Sequence, residues 1–402
     1  MRREIILTTG IIIVLFSALF LSPSAFAMDT RGVSENTVNI GVICDQTGPA
    51  SSYGIAYIAA IRTYFKYVND QGGIHGRKIK LFLEDDRYNI PLSMAAFKKL
   101  VYKDKVLAIF GPSGTGMTTA NISIIERQKV PTISFSSSDI IFKPVKKHLF
   151  SIACSYEDLI AIAMDYITED LKAEKPKIAF VYPDNEYGKD GLNGAIRQAG
   201  FHNVELYKEV LNFGAVDATT QILHIKRARV KFVLIHQTIG STVALLKAAR
   251  RFGYKPGFWG LGHAAHHADT VKIAKGAAEG FMGVGGFCFW YEDNPGMKNL
   301  REITLKYQPG IVKKIETNDF YPRAWVQSIV YAEAMKRAGK QLTIKGFRDA
   351  IESLKDFRTG NIGGPITYSP TNHKATNYGK VYKADVQKGL MLPITDWRKP
   401  IH

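Results

Sequence analysis

The sequence predicts an α/β protein of two doubly wound parallel-sheet lobes, each sheet covered by helices on both faces. Three observations carry this. Short apolar, β-branched runs alternate with amphipathic segments from residue 38 to residue 252, and such alternation marks parallel strands joined by crossover helices. The cycle begins twice, at residues 38 and 177, and 402 residues suit two cores better than one. With 46% hydrophobic and 22% charged residues, the composition is that of an ordered globular chain.

Residues 38–44 form the first buried strand, Asp45 to Pro49 a turn, and 53–69 an aromatic helix that ends in the glycine-rich 70–77 segment. A strand over 78–84 exits into Asp85 and Asp86, and a helix opens after Pro91. Strands at 106–110 and 130–135 then enclose a helix over 115–128. A short strand at 149–152 and an amphipathic helix at 156–171 precede the second cycle. That cycle has strands at 177–182, 204–209 and 231–235 and helices at 190–199, 218–228 and 240–252. The glycine- and alanine-rich stretch 259–267 reads as a loop before a helix start. Beyond Phe281 come a glycine-rich strand to Gly286, an aromatic run over 287–291, helices near 296–308, 322–338 and 343–354, and a tail with strands at 363–369 and 378–384.

The stretch 106–138 is the candidate site. Its two strands open into Ser113 and Thr115 on one side and Ser136, Ser137 and Ser138 on the other, at the carboxyl ends where open α/β sheets bind ligands. Hydroxyls beside the free N–H groups of a helix start suit a carboxylate or another small anion. Gly111 to Met117 lacks the lysine of a phosphate-binding loop, so nucleotide chemistry of that kind is excluded.

Arg2, Arg3, an apolar run over 5–21 and the Ala25-Phe26-Ala27 ending predict a cleaved export signal over 1–27 and a soluble periplasmic product. Loss of two arginines and one glutamate takes the formal charge from +17 to +16. The lysines and arginines are scattered over helix faces, so no nucleic-acid partner is expected. Cys44, Cys154 and Cys288 lack metal-ligand spacing and read as buried free thiols. In the histidine cluster, His263 is expected to be a polar wall of a cleft, with His266 and His267 solvated near Asp269. Asp184, Glu186 and Asp190 read as an exposed acidic turn. No nucleophile is paired with a base, so neither catalysis, cofactor nor metal is expected.

Several short motifs then carry a resemblance. They are Ile40-Gly-Val42, Thr47-Gly-Pro49, Tyr53-Gly54, Asn69-Asp-Gln-Gly-Gly-Ile-His-Gly76, Glu84-Asp-Asp86, Phe110-Gly-Pro112, Pro131-Thr-Ile133, Asp184-Asn-Glu-Tyr-Gly188 and Ala278-Glu-Gly-Phe281. Along nearly all its mature length the chain resembles the periplasmic solute-binding proteins of ABC importers, in the leucine/isoleucine/valine-binding branch with the type I periplasmic binding fold. The resemblance implies a hinge of three crossovers, near Cys154, Gly283 and Tyr378. It divides the chain into an N-terminal lobe of 28–154 plus 284–378 and a C-terminal lobe of 155–283 plus 379–402. It also implies a partner, the ABC transporter membrane permease.

In such proteins small residues at the first-lobe strand ends hold the ligand carboxylate, and Thr115, Ser136 and Ser138 match them. Cleft tyrosines are matched by Tyr53 and Tyr187, while a further second-lobe tyrosine falls on Thr238. The acid that grips a ligand ammonium falls in Trp259 to His263, where no acid stands. The expected ligand is therefore a small carboxylate without an α-ammonium group, an aromatic or branched acid, walled by Trp259, Trp290 and Tyr291 and contacted by His263. A branched-chain or other amino acid, or a role as the ligand-sensing component of a receptor, is the alternative.

Overall fold

A computed structural model describes residues 29–261 and 265–401, so the export signal expected over 1–27 and His263 lie outside the described residues. Among these residues no helix is long and apolar enough to cross a membrane. Two sheets organise the chain. The first has the order β2-β1-β3-β4-β5, with β1 Thr37–Cys44, β2 Lys78–Asp85, β3 Ala108–Phe110, β4 Thr132–Ser134 and β5 Leu149–Ser151, all parallel. The second has the order β12-β11-β10-β9-β8-β6-β7. Its strands are β6 Lys177–Tyr182, β7 Glu205–Val210, β8 Phe232–His236, β9 Gly257–Leu261, β10 Met282–Gly285, β11 Lys380–Asp385 and β12 Leu390–Pro393. Only β11 runs against the rest, antiparallel to both of its neighbours, β10 and β12. Mixed α/β architecture with parallel sheets is thus as the sequence predicts.

The central strands are almost wholly apolar because helices cover both faces. On the first sheet, the helices Ser51–Asp70 and Phe320–Ala338 pack side by side, and Tyr57 donates its hydroxyl to Gln327 between them. The helix Phe320–Ala338 is also fastened to the strand ends. Tyr331 donates to the Ile109 carbonyl (2.6 Å) and accepts from the Ile133 N–H (3.0 Å), and Gln327 donates to the Ile133 carbonyl (3.1 Å).

Three expectations are corrected. Gly257–Leu261 is a strand, not a loop, since it fills the position between β8 and β10 and its glycines admit a close neighbour. Residues 363–369 make only isolated bridges, Phe287 with Gly363, Phe357 with Ile366 and Ser369 with Asn372. Two glycines and the donor-less Pro365 stop a ladder there. The strand at 380–385 is not the last, because it turns back into β12. The second connection between sheets, expected near Gly283, follows β10, which ends at Gly285. All three cysteines are buried and unbridged, as expected.

Tyr331→Phe should remove the hydroxyl that ties the helix to the Ile109 carbonyl and the Ile133 N–H without opening a large cavity, lowering stability by about 1 kcal/mol. Urea unfolding checks this, and an unchanged midpoint would show that the hydroxyl bridge contributes nothing.

Candidate functional site

A cavity of about 520 Å³ opens between the two sheets. From the first sheet's side it is lined by Asp45, Tyr53, Tyr88, Ser113, Gly114, Thr115, Phe135 and Phe320. From the second come Tyr156, Tyr187, Phe213, Gln237, Thr238, Ile239, Gly240, Asp269 and Ile273. Most of these residues stand at helix starts, because strands in a doubly wound sheet end where the following helices begin. The helices Ser51–Asp70, Thr115–Arg127, Glu186–Phe201 and Ile239–Arg251 all present their first turns to the cavity.

Thr115–Arg127 starts without a side-chain cap. Its first internal bond is from the Thr118 N–H to the Gly114 carbonyl (2.9 Å), so the N–H groups before Thr118 remain for a ligand. Thr115 shares a hydroxyl bond with Ser136 (2.8 Å), and Ser136 lies 3.4 Å from the Tyr156 hydroxyl. Ser113 is constrained differently. Its hydroxyl donates to Asp86 and its N–H lies 3.2 Å from the same carboxylate, so it has no proton left for a ligand carboxylate. Asp45 is similarly occupied, accepting from the Gly48 N–H (2.5 Å) and the Ala50 N–H (2.7 Å). That turn crowds the next helix. A Cβ on Gly54 would fall 1.7 Å from the Asp45 carbonyl oxygen, which explains Tyr53-Gly54.

The tyrosines form a wall with its own backing. Tyr53 stacks on Phe320 (4.7 Å), Tyr187 on the buried His236 (3.8 Å), and Tyr156 meets Tyr187 edge-on (5.0 Å). Tyr88 meets Phe213 across the cavity (6.5 Å). Burial pushes the Tyr53 phenol up to about 12 and raises Tyr88, Tyr156 and Tyr187 as well. All four are therefore neutral donors at physiological pH.

Of the residues singled out from sequence, Tyr53, Ser113, Thr115, Tyr187 and Thr238 line the cavity. Thr238 is also the N-cap of Ile239–Arg251, accepting from the Ser241 N–H. Ser136 lies one bond behind the surface. Ser138 is fully buried and its N–H donates to Ser136 Oγ (3.2 Å). The expected aromatic walls are not in the cavity lining. Trp259 is 1% exposed and packs on Tyr166, Trp290 packs on Tyr321, and Tyr291 stacks on Phe289 with its hydroxyl on the Met391 carbonyl. Trp259 points from β9 into a core of the second sheet, while Trp290 and Tyr291 stand in a turn, each partly buried against a core. The rings that do line the cavity, Tyr88, Phe135, Tyr156, Phe213 and Phe320, each carry no sequence signal beyond an aromatic near a strand end or helix start.

The acidic turn is also corrected in part. Asp184 and Glu186 are exposed, but Asp190 is half-buried, accepts from the Asp139 N–H (3.3 Å) and is pushed up to about 6 by burial. His266 and His267 are not solvated: they are 1% and 0% exposed. Three glycines make the room. A Cβ on Gly283 would lie 2.5 Å from His266 Cβ, one on Gly285 2.6 Å from His266 Nε2, and one on Gly260 2.7 Å from the His266 nitrogen. His267 Nε2 donates to Asp319 Oδ1 (2.9 Å), and His266 Nε2 lies 3.5 Å from Asp319 Oδ2. Burial alone would raise the Asp319 carboxyl, but the bonds from both imidazoles outweigh it and hold it far below the usual carboxylate range. These donor atoms lie within 4.8 Å of one another, close enough for a metal. However, His267 Nδ1 has no hydrogen-bond partner among the described residues, so the outer support typical of a metal-bound imidazole is missing there. The cluster is a hydrogen-bonded pin between the sheets, reinforced by the Ala268 N–H on the Thr317 carbonyl (3.2 Å).

Burial lowers His236 to about 3, below its ordinary value near 6.5. The unfolded chain then binds the extra proton, so this stability is complete above pH ~6.5 and is lost as pH falls toward 3, by a few kcal/mol. His236→Phe should reduce the pH dependence of unfolding free energy over that window by about one proton. An unchanged slope would refute the buried neutral imidazole.

The model of a family described as "Periplasmic binding protein" matches residues 37–389. An amino acid binding protein of Pseudomonas aeruginosa is 25% identical over a stretch covering 56% of this chain and 60% of that protein. The Leu/Ile/Val-binding protein BraC3 of Rhizobium johnstonii is 25% identical over 87% of this chain and 92% of its own. Two solved structures share the fold. A branched chain amino acid ABC transporter protein from Thermus thermophilus with bound valine has TM-score 0.81 and 24% identity, covering 92% of this chain and 98% of that one. A fatty acid ABC transporter substrate-binding protein from Thermomonospora curvata has TM-score 0.83 and 22% identity, covering 93% and 96%.

Proposed function

The chain belongs to the periplasmic binding protein family, and on that premise we propose that it is the extracytoplasmic substrate-binding component of an ABC importer. It captures a small carboxylate with a branched or aromatic body between its lobes and delivers it to the membrane permease. The observation that carries this reading is the convergence of helix N-termini from both sheets on an aromatic-walled cavity. Unpaired N–H groups and the positive ends of helix dipoles favour an anion, and the rings favour an apolar body. Thr115, backed by Ser136 and Tyr156, donates to the carboxylate, while Ser113 takes a positioning role through Asp86.

A second reading, a branched-chain amino acid, is favoured by one residue. Asp269 is a half-buried carboxylate on the cavity wall, in the first turn of the helix Ala268–Ala274, and offers the counter-charge that residues 259–261 lack. The relatives named for amino acids lend it weight, and the fatty acid protein of the same fold lends weight to the first.

Thermal-shift titration separates the two. 4-Methylpentanoate is leucine without its amine, and at 100 times its dissociation constant it should stabilise by about 2.7 kcal/mol, a shift of a few degrees. Asp269→Asn should leave this effect intact. Stabilisation by leucine alone, lost in Asp269→Asn, would transfer the assignment to the amino-acid reading.

Binding should also close the lobes, because residues from both sheets line the cavity. Small-angle scattering should record a smaller radius of gyration at saturating ligand; an unchanged radius would count against hinge closure.

A further inference from the structure

We infer that Arg323, which does not itself line the cavity, is a specificity-determining residue for an anionic head group, its buried charge standing behind the strand end that carries Phe135 and Ser136. This deepens the proposed reading of the ligand as a carboxylate and rests on it. Arg323 lies one turn into the helix Phe320–Ala338 and is 0% exposed. Nη2 donates to the Phe135 carbonyl (2.5 Å) and reaches Ser137 Oγ at 3.4 Å. The guanidinium carbon stands 5.0 Å from the centre of the Phe135 ring, and Phe135 is a wall of the cavity. Nε and Nη1 have no hydrogen-bond partner among the described residues.

A guanidinium stays charged in a protein, so this cation needs an opposite charge or strong dipoles nearby. Of the groups that act most strongly on it, Asp319 is the one carboxylate, and it stays ionised while bonded by His267 and His266. The others are Tyr57, Tyr156 and Cys154, which burial keeps protonated. Arg323 and Asp319 thus form a dipole at the back of the first sheet's site, and its positive end is the one that meets the Phe135 carbonyl and Ser137. Near that positive end run the linked hydroxyls of Tyr156, Ser136 and Thr115, of which Tyr156 and Thr115 line the cavity. They can orient their protons toward an anion, and in a low-dielectric interior the field reaches it with little screening. An uncharged head group of the same shape gains almost nothing from the same field.

The test is calorimetric titration of the full mature chain with 4-methylpentanoate and 4-methylpentanamide, and with L-leucine and L-leucinamide. Arg323→Met should weaken the acid by roughly ten- to thirtyfold and leave the amide's affinity unchanged. Arg323→Lys should keep most of the acid preference. A parallel loss for acid and amide would mark Arg323 as merely structural, and an unchanged acid-to-amide ratio would also overturn the inference while leaving the carboxylate reading intact. If neither acid binds the wild-type protein, both the inference and that reading fall. Should Arg323→Met not fold, the wild-type protein still decides through a ligand labelled with ¹³C at its carboxyl. The bound carboxyl should titrate below its free value, and titration at or above that value overturns the inference.

Discussion

Two opposite charges at the start of the helix Phe320–Ala338 constrain the rest of the molecule. Asp319 and Arg323 are both unexposed, and a buried ion costs several kcal/mol unless partners meet it. Asp319 is met by imidazoles carried on the turn after β9, beside the second sheet. That turn can approach only because β9 and β10 carry Gly260, Gly283 and Gly285. Arg323 is met by the Phe135 carbonyl at the end of β4. One helical turn therefore links the anion end of the cavity to the contact between the sheets, and a change in either charge disturbs both.

The same economy governs the cavity's charge. Asp45 and Asp86 stand at the ends of β1 and β2, where bare carboxylates would repel an anion. Each is drawn into its own loop, Asp45 by two backbone N–H groups and Asp86 by both donors of Ser113. Burial raises Asp86 further toward the neutral form. Helix N-termini then face the cavity near Thr115. On the proposed reading, hydroxyls and backbone groups would suffice for a carboxylate, with no cation in direct contact.

What was legible in the sequence was whatever depends on local pattern. Alternating apolar runs and helix periods gave both sheets, and the hydroxyls after β3 and β4 gave Thr115. Ser136 and Ser138 were found as neighbours of the site, but whether a serine faces the cavity or the residue behind it depends on side-chain direction within a three-residue strand. The aromatic walls were misassigned for a related reason: Trp259 and Trp290 are the larger rings, and large rings fill cores as readily as pockets. His266, His267 and Arg323 were beyond sequence reasoning, because what fixes each of them is a partner on a distant element. The glycines of β9 and β10 were the available clue, since three glycines in adjacent strands signal that something approaches closely.

Which part of a ligand closes the lobes follows from where the groups stand. The head-group donors at Gly114 and Thr115 belong to the first sheet, and bonds to them form equally well with the lobes apart. The His267–Asp319 pin and the Ala268–Thr317 bond join the sheets beside the cavity, where His267 packs on the wall rings Tyr53 and Phe320. The rest of the difference between open and closed states must come from groups that a ligand joins across the gap. These are Tyr53 and Tyr88 on one side and Tyr187, Phe213 and Ile239 on the other. An apolar body covering ~100 Å² of the second wall would contribute about 2.5 kcal/mol. That is close to half of what a swing from mostly open to mostly closed requires. On the proposed reading, head group and body would divide the work: the first sheet's field would select for charge, and the opposed aromatic walls would convert the size of the apolar body into closure.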